Sequence, residues 1–305
     1  MDHHGEGVGA CDYFVADQWL AFISCSLMTF RISPHLSTAI LAGLAVSAFA
    51  GNSLLARAAL GEGMIGPASF TAIRLASGAA VLLPWLKGAA REPSHWSGAL
   101  ALFVYCGAFS FAYVELGAAG GAMLLFAAVQ FTVLAAAARA GNRLRLFEIA
   151  GVLLAMAGLT VLLGTSARPG PLLAMASMVV AGVAWGLYSL MGRTARDASG
   201  RTARNFVLAA LLAAPLPLLD AGVDVSAWGV LLAATSGAIT SGLGYVMWYK
   251  LVPRLPHVTV GAAQLATPVV AALGAAVLLG EPLTMRFAVA SGLIMGGIAA
   301  TLKRA

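Results

Sequence analysis

The chain has 305 residues, of which 60% are apolar and only 10% are charged. Because about a quarter of the residues of a soluble domain are charged, this composition excludes a soluble protein, and the lack of alternating ten-residue segments favours an all-α integral membrane protein over a barrel. The net charge of +6 does not indicate a nucleic-acid partner, because the basic residues lie between apolar runs, where they set membrane topology.

The first 35 residues differ from the rest of the chain. Their apolar stretch Gln18–Phe30 has 13 residues, too few to cross a bilayer, since a hydrocarbon core requires about 20 apolar residues per helix. We therefore expect residues 1–35 to form a mobile N-terminal extension. Ten later stretches are predicted transmembrane helices: 36–58, 67–86, 96–116, 119–138, 146–164, 170–192, 203–219, 226–249, 257–279 and 285–302.

Basic residues predict the orientation of these spans. If the N-terminus is cytoplasmic, fourteen of the eighteen Lys and Arg residues lie in cytoplasmic segments, three lie outside, and Arg74 lies within a span. An excess of Lys and Arg marks the cytoplasmic side of a membrane protein. The sequence thus predicts a multi-pass protein with both termini in the cytoplasm.

Three segments of the first half of the chain recur in the second half, in the same order. One is AFAGNSLLAR at Ala48–Arg57, which returns 136 positions later as AWGLYSLMGR at Ala184–Arg193. The others pair 121–130 with 261–270 and 141–158 with 280–297, at separations of 140 and 139 residues. The second copy of each segment lies five spans after the first, and this odd offset inverts it. The echoes predict a 5+5 inverted-topology repeat, formed by residues 36–165 and 166–305.

An inverted repeat is typical of carriers. Two halves related by an axis in the membrane plane can exchange conformations, so that a central cavity opens to each side in turn. A passive channel, which requires no such symmetry, is the alternative from another class. No HExxH, GxSxG, P-loop or paired-carboxylate motif indicates an enzyme, and we expect no cofactor. Cys11, Cys25 and Cys106 lack the paired spacing of a metal site.

Three segments also carry a resemblance to a known family. They are SGLGYVMWYKLVPRLPHVTVGAAQLATPVVAALGAAVLLGEPLT at 241–284, RLASGAAVLLP at 74–84 and AWGLYSLMGR at 184–193. Together they resemble the ten-helix drug/metabolite transporter superfamily of the EamA type. The resemblance implies export of amino acids or similar small metabolites. The aromatic-rich spans 3 and 6 are most similar to the bacterial aromatic-amino-acid exporters.

The resemblance also implies a location and partners. The expected location is the cytoplasmic (inner) membrane of a bacterium, with the lipid bilayer and a small-molecule substrate as partners. We expect a monomer or weak dimer. A multidrug, nucleoside or sugar-nucleotide carrier of the same fold is the nearest alternative function.

Aromatic residues at helical spacing are the first candidates for a substrate cavity. Trp185 and Tyr188 share one face of span 6, and Phe49 and Asn52 are their counterparts on span 1. These side chains either stack on a substrate or pack helices together. Further candidates on spans 3, 4 and 8 are Tyr105, Phe109, Tyr113, Phe126 and Tyr245. Trp248, near the end of span 8, is expected in the interfacial belt.

Polar residues inside the spans are the second group of candidates. Arg74 lies in span 2, where a charged side chain costs about 2.5–3.5 kcal/mol on insertion. It either binds a substrate carboxylate, pairs with a backbone carbonyl or extends to the interface. Gln130 and Gln264 either bind substrate or form hydrogen bonds between helices. Pro268 interrupts span 9 and is a candidate gating residue.

Small residues and carboxylates on the spans have simpler interpretations. Gly237, Ser241 and Gly244 are expected to allow close helix packing. Glu115 and Glu148 lie at span ends, so no carboxylate at the membrane centre indicates a proton relay. Facilitated diffusion and proton antiport both stay open.

Overall fold

A computed structural model of the chain describes residues 33–91, 96–142, 144–163, 170–279 and 284–302. Nearly all of the predicted extension 1–35 lies outside these residues. So does Arg168, one of the three basic residues predicted to lie on the outer side of the membrane. The backbone contacts divide the chain between Ile40 and Leu41. The packing described below is that of the unit that begins at Leu41.

The described residues form helices and connecting turns, with no β-strand among them. We number the helices in chain order: α1 Pro34–Gly61, α2 Pro67–Leu82, α3 Ser97–Gly117, α4 Gly120–Arg139, α5 Leu146–Leu163, α6 Leu172–Met191, α7 Ala198–Ala213, α8 Ala227–Arg254, α9 257–279 and α10 Met285–Leu302. Within α8, Ser236–Leu243 is π-helical, and within α9, Ala263–Ala266 is a 3₁₀ turn.

Nine of the helices in the described part of the chain are long and apolar enough to cross a membrane. Helix α7 is the exception. Helix α7 has 16 residues and ends at Ala213, and a 3₁₀ turn follows at Leu216–Asp220. Its length is about 24 Å at 1.5 Å per residue, against a hydrocarbon core of about 30 Å. The chain is therefore an all-helical, multi-pass membrane protein, and the tenth span stays a prediction.

Local sequence signals explain several helix ends. Gly117 separates α3 from α4 with a φ of 63°, a conformation that glycine adopts without a steric penalty. Ser226 caps α8 by accepting the backbone N–H of Gly229 at 2.9 Å. At the start of α2, the carboxylate of Asp220 accepts the backbone N–H of Ser69 at 2.6 Å. That bond joins α2 to the turn after α7 and places a negative charge at a helix N-terminus.

Glycines allow α5 and α10 to approach backbone to backbone. A Cβ added to Gly151 would lie 2.7 Å from the carbonyl oxygen of Gly297, and one added to Gly158 would lie 2.9 Å from that of Ala290. The residue numbers rise along one helix while they fall along the other, so the two helices are antiparallel. Association inside lipid depends on this close packing, because lipid removes the hydrophobic force between helices.

Small residues likewise join α1 to α8. A Cβ on Gly51 would lie 3.2 Å from Thr240, and one on Gly244 would lie 2.8 Å from the Cβ of Ala48. Gly237 packs directly on the backbone carbonyl of Arg74 in α2. The predicted packing role of Gly237 and Gly244 is thus confirmed, and α1 runs antiparallel to α8.

Helix α6 runs parallel to α8. The ring of Trp185 lies 4.7 Å from that of Tyr245, and one turn further on, Tyr188 lies 4.9 Å from Tyr249. Helices α1 and α6 are therefore antiparallel across α8. Their facing aromatic residues form the site described below.

Substitution of a packed glycine should destabilise the bundle, whereas substitution of an open glycine in the same helix should not. We expect Gly297→Ala to lower the melting temperature in detergent, because the new methyl group would collide with the backbone of Gly151 and overpacking costs about 1–3 kcal/mol. Gly292→Ala is the matched control, since a Cβ there meets no described atom within 4 Å. Equal melting temperatures for the two variants would contradict the packing described for α5 and α10.

Candidate functional site

Trp185 is the centre of a group of aromatic rings in the unit that begins at Leu41. Its ring lies 4.8 Å from Tyr105, 5.4 Å from Phe49 and 4.7 Å from Tyr245. The Phe49 contact is edge to face, which the ring quadrupoles favour. These residues come from α1, α3, α6 and α8, so the contacts join four helices at one point.

The indole of Trp185 is also held by a hydrogen bond from its Nε1 to Oε1 of Gln264 in α9. The amide of Gln264 in turn donates from Nε2 to the carbonyl oxygen of Val260 at 2.9 Å. Both side chains are buried, and each polar atom of the pair is therefore satisfied inside the protein, as an apolar bilayer requires. This Trp185–Gln264 pair fixes the orientation of the indole.

A small cavity lies beside the Trp185 ring. Its aromatic walls are formed by Phe49, Tyr105, Phe109, Phe126, Trp185 and Tyr245. Its polar walls are formed by Asn52, Ser53, Gln264 and Thr267. The cavity volume is about 30 Å³, enough for one or two water molecules. An amino acid requires more room, so the rings would have to separate to admit one.

Asn52 and Arg74 are both bound by the π-helical segment of α8. Ser236 donates its hydroxyl to Oδ1 of Asn52 at 2.7 Å, and Ser241 accepts from Nε of Arg74 at 2.9 Å. Tyr245, one turn beyond, accepts from Nη2 of Arg74 at 2.7 Å. Single-turn π segments are frequent at functional sites. Here the segment presents two serines to neighbouring helices.

Arg74 is completely buried, so the interpretation in which it extends to the membrane interface is wrong. Its guanidinium lies 5.4 Å from the ring centre of Tyr105 and 6.0 Å from that of Phe109. Both of those rings line the cavity, whereas Arg74 itself lies behind them.

Trp248 corrects another expectation. It is fully buried, donates from Nε1 to the hydroxyl of Ser189 at 3.0 Å and packs edge to face on Phe49. The assignment to an interfacial belt is therefore wrong. Trp248 lies near the end of its span, but α6 and α8 remain in contact beyond it through Tyr249 and Gly192. Its side chain is therefore enclosed by helices and does not reach the membrane interface.

Besides Arg74, four candidate residues do not line the cavity. Tyr188 packs on Trp185 and Tyr249, one turn towards the end of α6. Tyr113 packs on Phe109 and donates its hydroxyl to the carbonyl oxygen of Ser53 at 3.3 Å. The remaining two are Gln130 and Pro268. Pro268 is the second residue of the helical segment that resumes at Thr267 after the 3₁₀ turn of α9.

The two buried glutamines differ sharply. Gln264 is hydrogen bonded as described, whereas both amide atoms of Gln130 lack a hydrogen-bond partner among the described residues. The Gln130 amide packs against Gly261, where an added Cβ would lie 2.7 Å from its Oε1. Burying an amide without partners costs free energy. A role for Gln130 in another conformation or with substrate stays a prediction.

Sequence reasoning missed Ser53, Ser236 and Thr267, and it gave Ser241 only a role in helix packing. Ser53 and Thr267 line the cavity, while Ser236 and Ser241 hold Asn52 and Arg74 from α8. The i, i+4 spacing of Ser241 and the candidate Tyr245 could have pointed to the helix face that holds Arg74. The π-helical register, however, was not visible in the sequence.

Replacing the two glutamines by leucine should have opposite effects on stability. We expect Gln264→Leu to lower the free energy of unfolding by about 1–3 kcal/mol, because it leaves the buried indole N–H of Trp185 unpaired. Gln130→Leu should raise it, because an unsatisfied buried amide is replaced by an apolar side chain of similar size. Denaturant unfolding of the purified variants in detergent measures both. A loss of stability in Gln130→Leu as large as that in Gln264→Leu would contradict these hydrogen-bond assignments.

Known proteins resemble this chain over most of its length. The uncharacterized protein PA1977 of Pseudomonas aeruginosa is 46% identical over 274 residues, which cover 88% of this chain and 96% of that protein. The threonine/homoserine exporter RhtA of Escherichia coli K12 is 32% identical over 234 residues, which cover 72% of this chain and 77% of that protein. One solved crystal structure aligns with a TM-score of 0.70 and 25% identity, over 87% of this chain and 96% of its own.

Family membership follows from these similarities and from a direct match. Residues 170–303 match the EamA-like transporter family. The match and the relatives agree with an all-helical protein that has nine candidate membrane spans in the described part of the chain. The chain belongs to the EamA-like transporter family, within the drug/metabolite transporter superfamily, and is a membrane transporter.

Proposed function

We propose that the protein exports amino acids, aromatic or other apolar, or similar small metabolites by alternating access. The observation that carries this proposal is the cavity beside Trp185, where aromatic rings face four polar side chains. Aromatic faces suit an apolar side chain, and a few placed polar groups orient a small ligand. The similarity to an exporter of amino acids supports the direction of transport and the class of substrate.

The small volume of the cavity supports a mechanism with a conformational change. Because about 30 Å³ is too small for an amino acid, the rings around Trp185 must separate to bind one. Such a change at a central site is what alternating access uses to bind and release a substrate. Pro268, beside the cavity residue Thr267 in α9, is the proposed gate, because a proline weakens the hydrogen-bond ladder of its helix.

The proposed architecture is a 5+5 inverted repeat of residues 36–165 and 166–305, after the extension 1–35. The contacts between α5 and α10 support it. The recurrent segments 141–158 and 280–297 align Gly151 with Ala290 and Gly158 with Gly297. All four of these small residues lie in the contact between α5 and α10, as expected if the two helices are equivalent elements of the two halves.

The proposed topology places both termini in the cytoplasm of a bacterium, with α7 as a tenth span. The opposite directions of α1 and α6 support it, because Arg57 near the end of α1 and Arg193 after α6 then lie at opposite ends of the bundle. Large apolar side chains on the surface are suited to lipid; among them are Phe131, Leu172 and Leu173. We propose a monomer or weak dimer, with a small-molecule substrate and the bilayer as partners.

A second candidate substrate group is threonine and homoserine. It is favoured by the 32% identity to RhtA, whose name states those substrates. The hydroxyls and amides of Ser53, Asn52 and Thr267 could bind a polar aliphatic side chain on the same wall of the cavity. Direct comparison of phenylalanine with threonine as substrates separates the two candidates.

Loss of the central ring should impair transport. In proteoliposomes loaded with unlabelled amino acid, the exchange of labelled phenylalanine or threonine should saturate with concentration. We expect Trp185→Ala to reduce the exchange rate about tenfold, because the loss of one ring contact costs roughly 1.4 kcal/mol. Trp228→Ala, at an exposed tryptophan of α8, is the matched control and should transport normally. Flux that does not saturate would indicate a channel. Absence of exchange with every amino acid would remove the proposed substrate class.

Two single cysteines should react from opposite sides of the membrane. In a background without Cys11, Cys25 and Cys106, we expect an impermeant maleimide to label Glu62→Cys in intact cells but Arg196→Cys only after permeabilisation. Both positions are exposed, in the turn after α1 and the turn after α6. Labelling of the two from one side would overturn the inverted topology, whereas opposite labelling with the sides exchanged would overturn only the orientation.

A further inference from the structure

Arg74 is a buried cation without an acidic partner among the described residues. Its side chain is fully buried, and its Nε and Nη2 donate to the hydroxyls of Ser241 and Tyr245. The ionisable groups that surround it are Cys106, Tyr245 and Tyr105, none of which is a carboxylate. A guanidinium stays protonated in proteins. The positive charge is therefore balanced by neutral hydroxyls and ring faces alone.

One arm of this guanidinium has no hydrogen-bond acceptor. The Nη1 atom of Arg74 makes no hydrogen bond to any described residue, although it is buried. Removing one partner of a buried charge pair is strongly destabilising, because an uncompensated charge remains. A planar guanidinium binds a carboxylate through two parallel N–H···O bonds. A carboxylate would thus supply both the missing acceptor and the missing charge.

The guanidinium is separated from the cavity by a single layer of rings. Tyr245 accepts a hydrogen bond from it, and Tyr105 and Phe109 present their faces to it at 5.4 and 6.0 Å. All three residues also line the cavity beside Trp185. The same separation of rings that admits a substrate therefore opens the way to Arg74.

The cavity offers no comparable partner for an ammonium group. In the part of the chain that the structure describes, none of the residues that line it is Asp or Glu. The two amide oxygens on its walls already accept hydrogen bonds, Oδ1 of Asn52 from Ser236 and Oε1 of Gln264 from Trp185. What remains for a cation are ring faces, at about 0.5–2 kcal/mol, and neutral hydroxyls such as those of Ser53 and Thr267, neither of which balances its charge. The carboxylate is thus the end of the substrate that this site can hold firmly.

From this geometry we infer that Arg74 binds the substrate carboxylate through its free Nη1, so that the carrier requires a carboxylate but not an amino group. The inference rests on the proposed function for the location of the substrate. It extends the substrate class from amino acids to small amphipathic monocarboxylates. Ser241 accepts the hydrogen bond from Nε and so fixes the plane of the guanidinium. The carboxylate takes the place of the Tyr245 hydroxyl on Nη2.

Four probes with the same phenyl ring test the requirement on the unmodified protein. Phenylalanine, 3-phenylpropionate, 2-phenylethylamine and phenylalaninamide are titrated against the protein in nanodiscs, with binding measured by tryptophan fluorescence and by thermal stabilisation. We expect the two carboxylates to bind within about tenfold of each other, and the amine and the amide about 100-fold more weakly, as for loss of one partner of a buried charge pair.

The outcomes separate this inference from the proposed function. An amine or amide that binds as tightly as phenylalanine overturns the carboxylate requirement, even if phenylalanine is exchanged in proteoliposomes. Binding of 3-phenylpropionate without exchange of phenylalanine or threonine supports the inference and overturns amino-acid export. If none of the four probes binds, the inference is overturned.

Variants of Arg74 give a readout that a purely structural role would not change. In Arg74→Gln, the ratio of phenylpropionate affinity to phenylethylamine affinity should fall from about 100-fold towards one, whereas Arg74→Lys should keep part of the preference. Arg57→Gln, at an exposed arginine of α1, is the matched control and should keep the full ratio. A ratio that stays at its original value in a folded Arg74→Gln protein overturns the assignment.

Discussion

Lipid offers no hydrogen bonds, and this constraint determines how the polar side chains of the bundle are arranged. The indole of Trp185 and the amide of Gln264 satisfy one another between α6 and α9, and Ser236 satisfies Asn52 between α8 and α1. Each pair joins two helices that would otherwise gain little from association in an apolar solvent. Because these pairs meet at the cavity walls, the groups that hold the helices together are also the groups available to a substrate.

Close backbone packing is the second source of cohesion. At Gly151, Gly158 and Gly297 the helices α5 and α10 approach so closely that no side chain fits between them. Such contacts are rigid, because the packed backbones cannot yield as a long side chain can. Helices joined by glycine contacts are therefore suited to move as a unit. The helices joined through aromatic rings at Trp185 have side chains between them that can reorient.

The centre of the protein combines satisfied and unsatisfied polar groups. The Trp185–Gln264 pair is complete, whereas the amide of Gln130 and the Nη1 of Arg74 have no acceptor or donor among the described residues. Buried polar groups without partners are rare in native proteins. In a transporter of this family they are explained if a ligand or a second conformation supplies the partner. These groups are therefore the places in the described structure where a ligand can still form hydrogen bonds.

The sequence alone determined the class of protein, the nine spans found in the described part of the chain and the family, because hydropathy, span length and sequence motifs are local properties of the chain. It also selected Trp185, Tyr245 and Gln264, whose polar groups are unusual at membrane depth, and Phe49 as the counterpart of Trp185 in the recurrent segment. Only the tertiary structure decided that Arg74 lies behind the rings, that Trp248 is buried and that α7 ends at Ala213. Those facts depend on which helices contact one another and on the π-helical register of α8, and residue spacing along one helix contains neither.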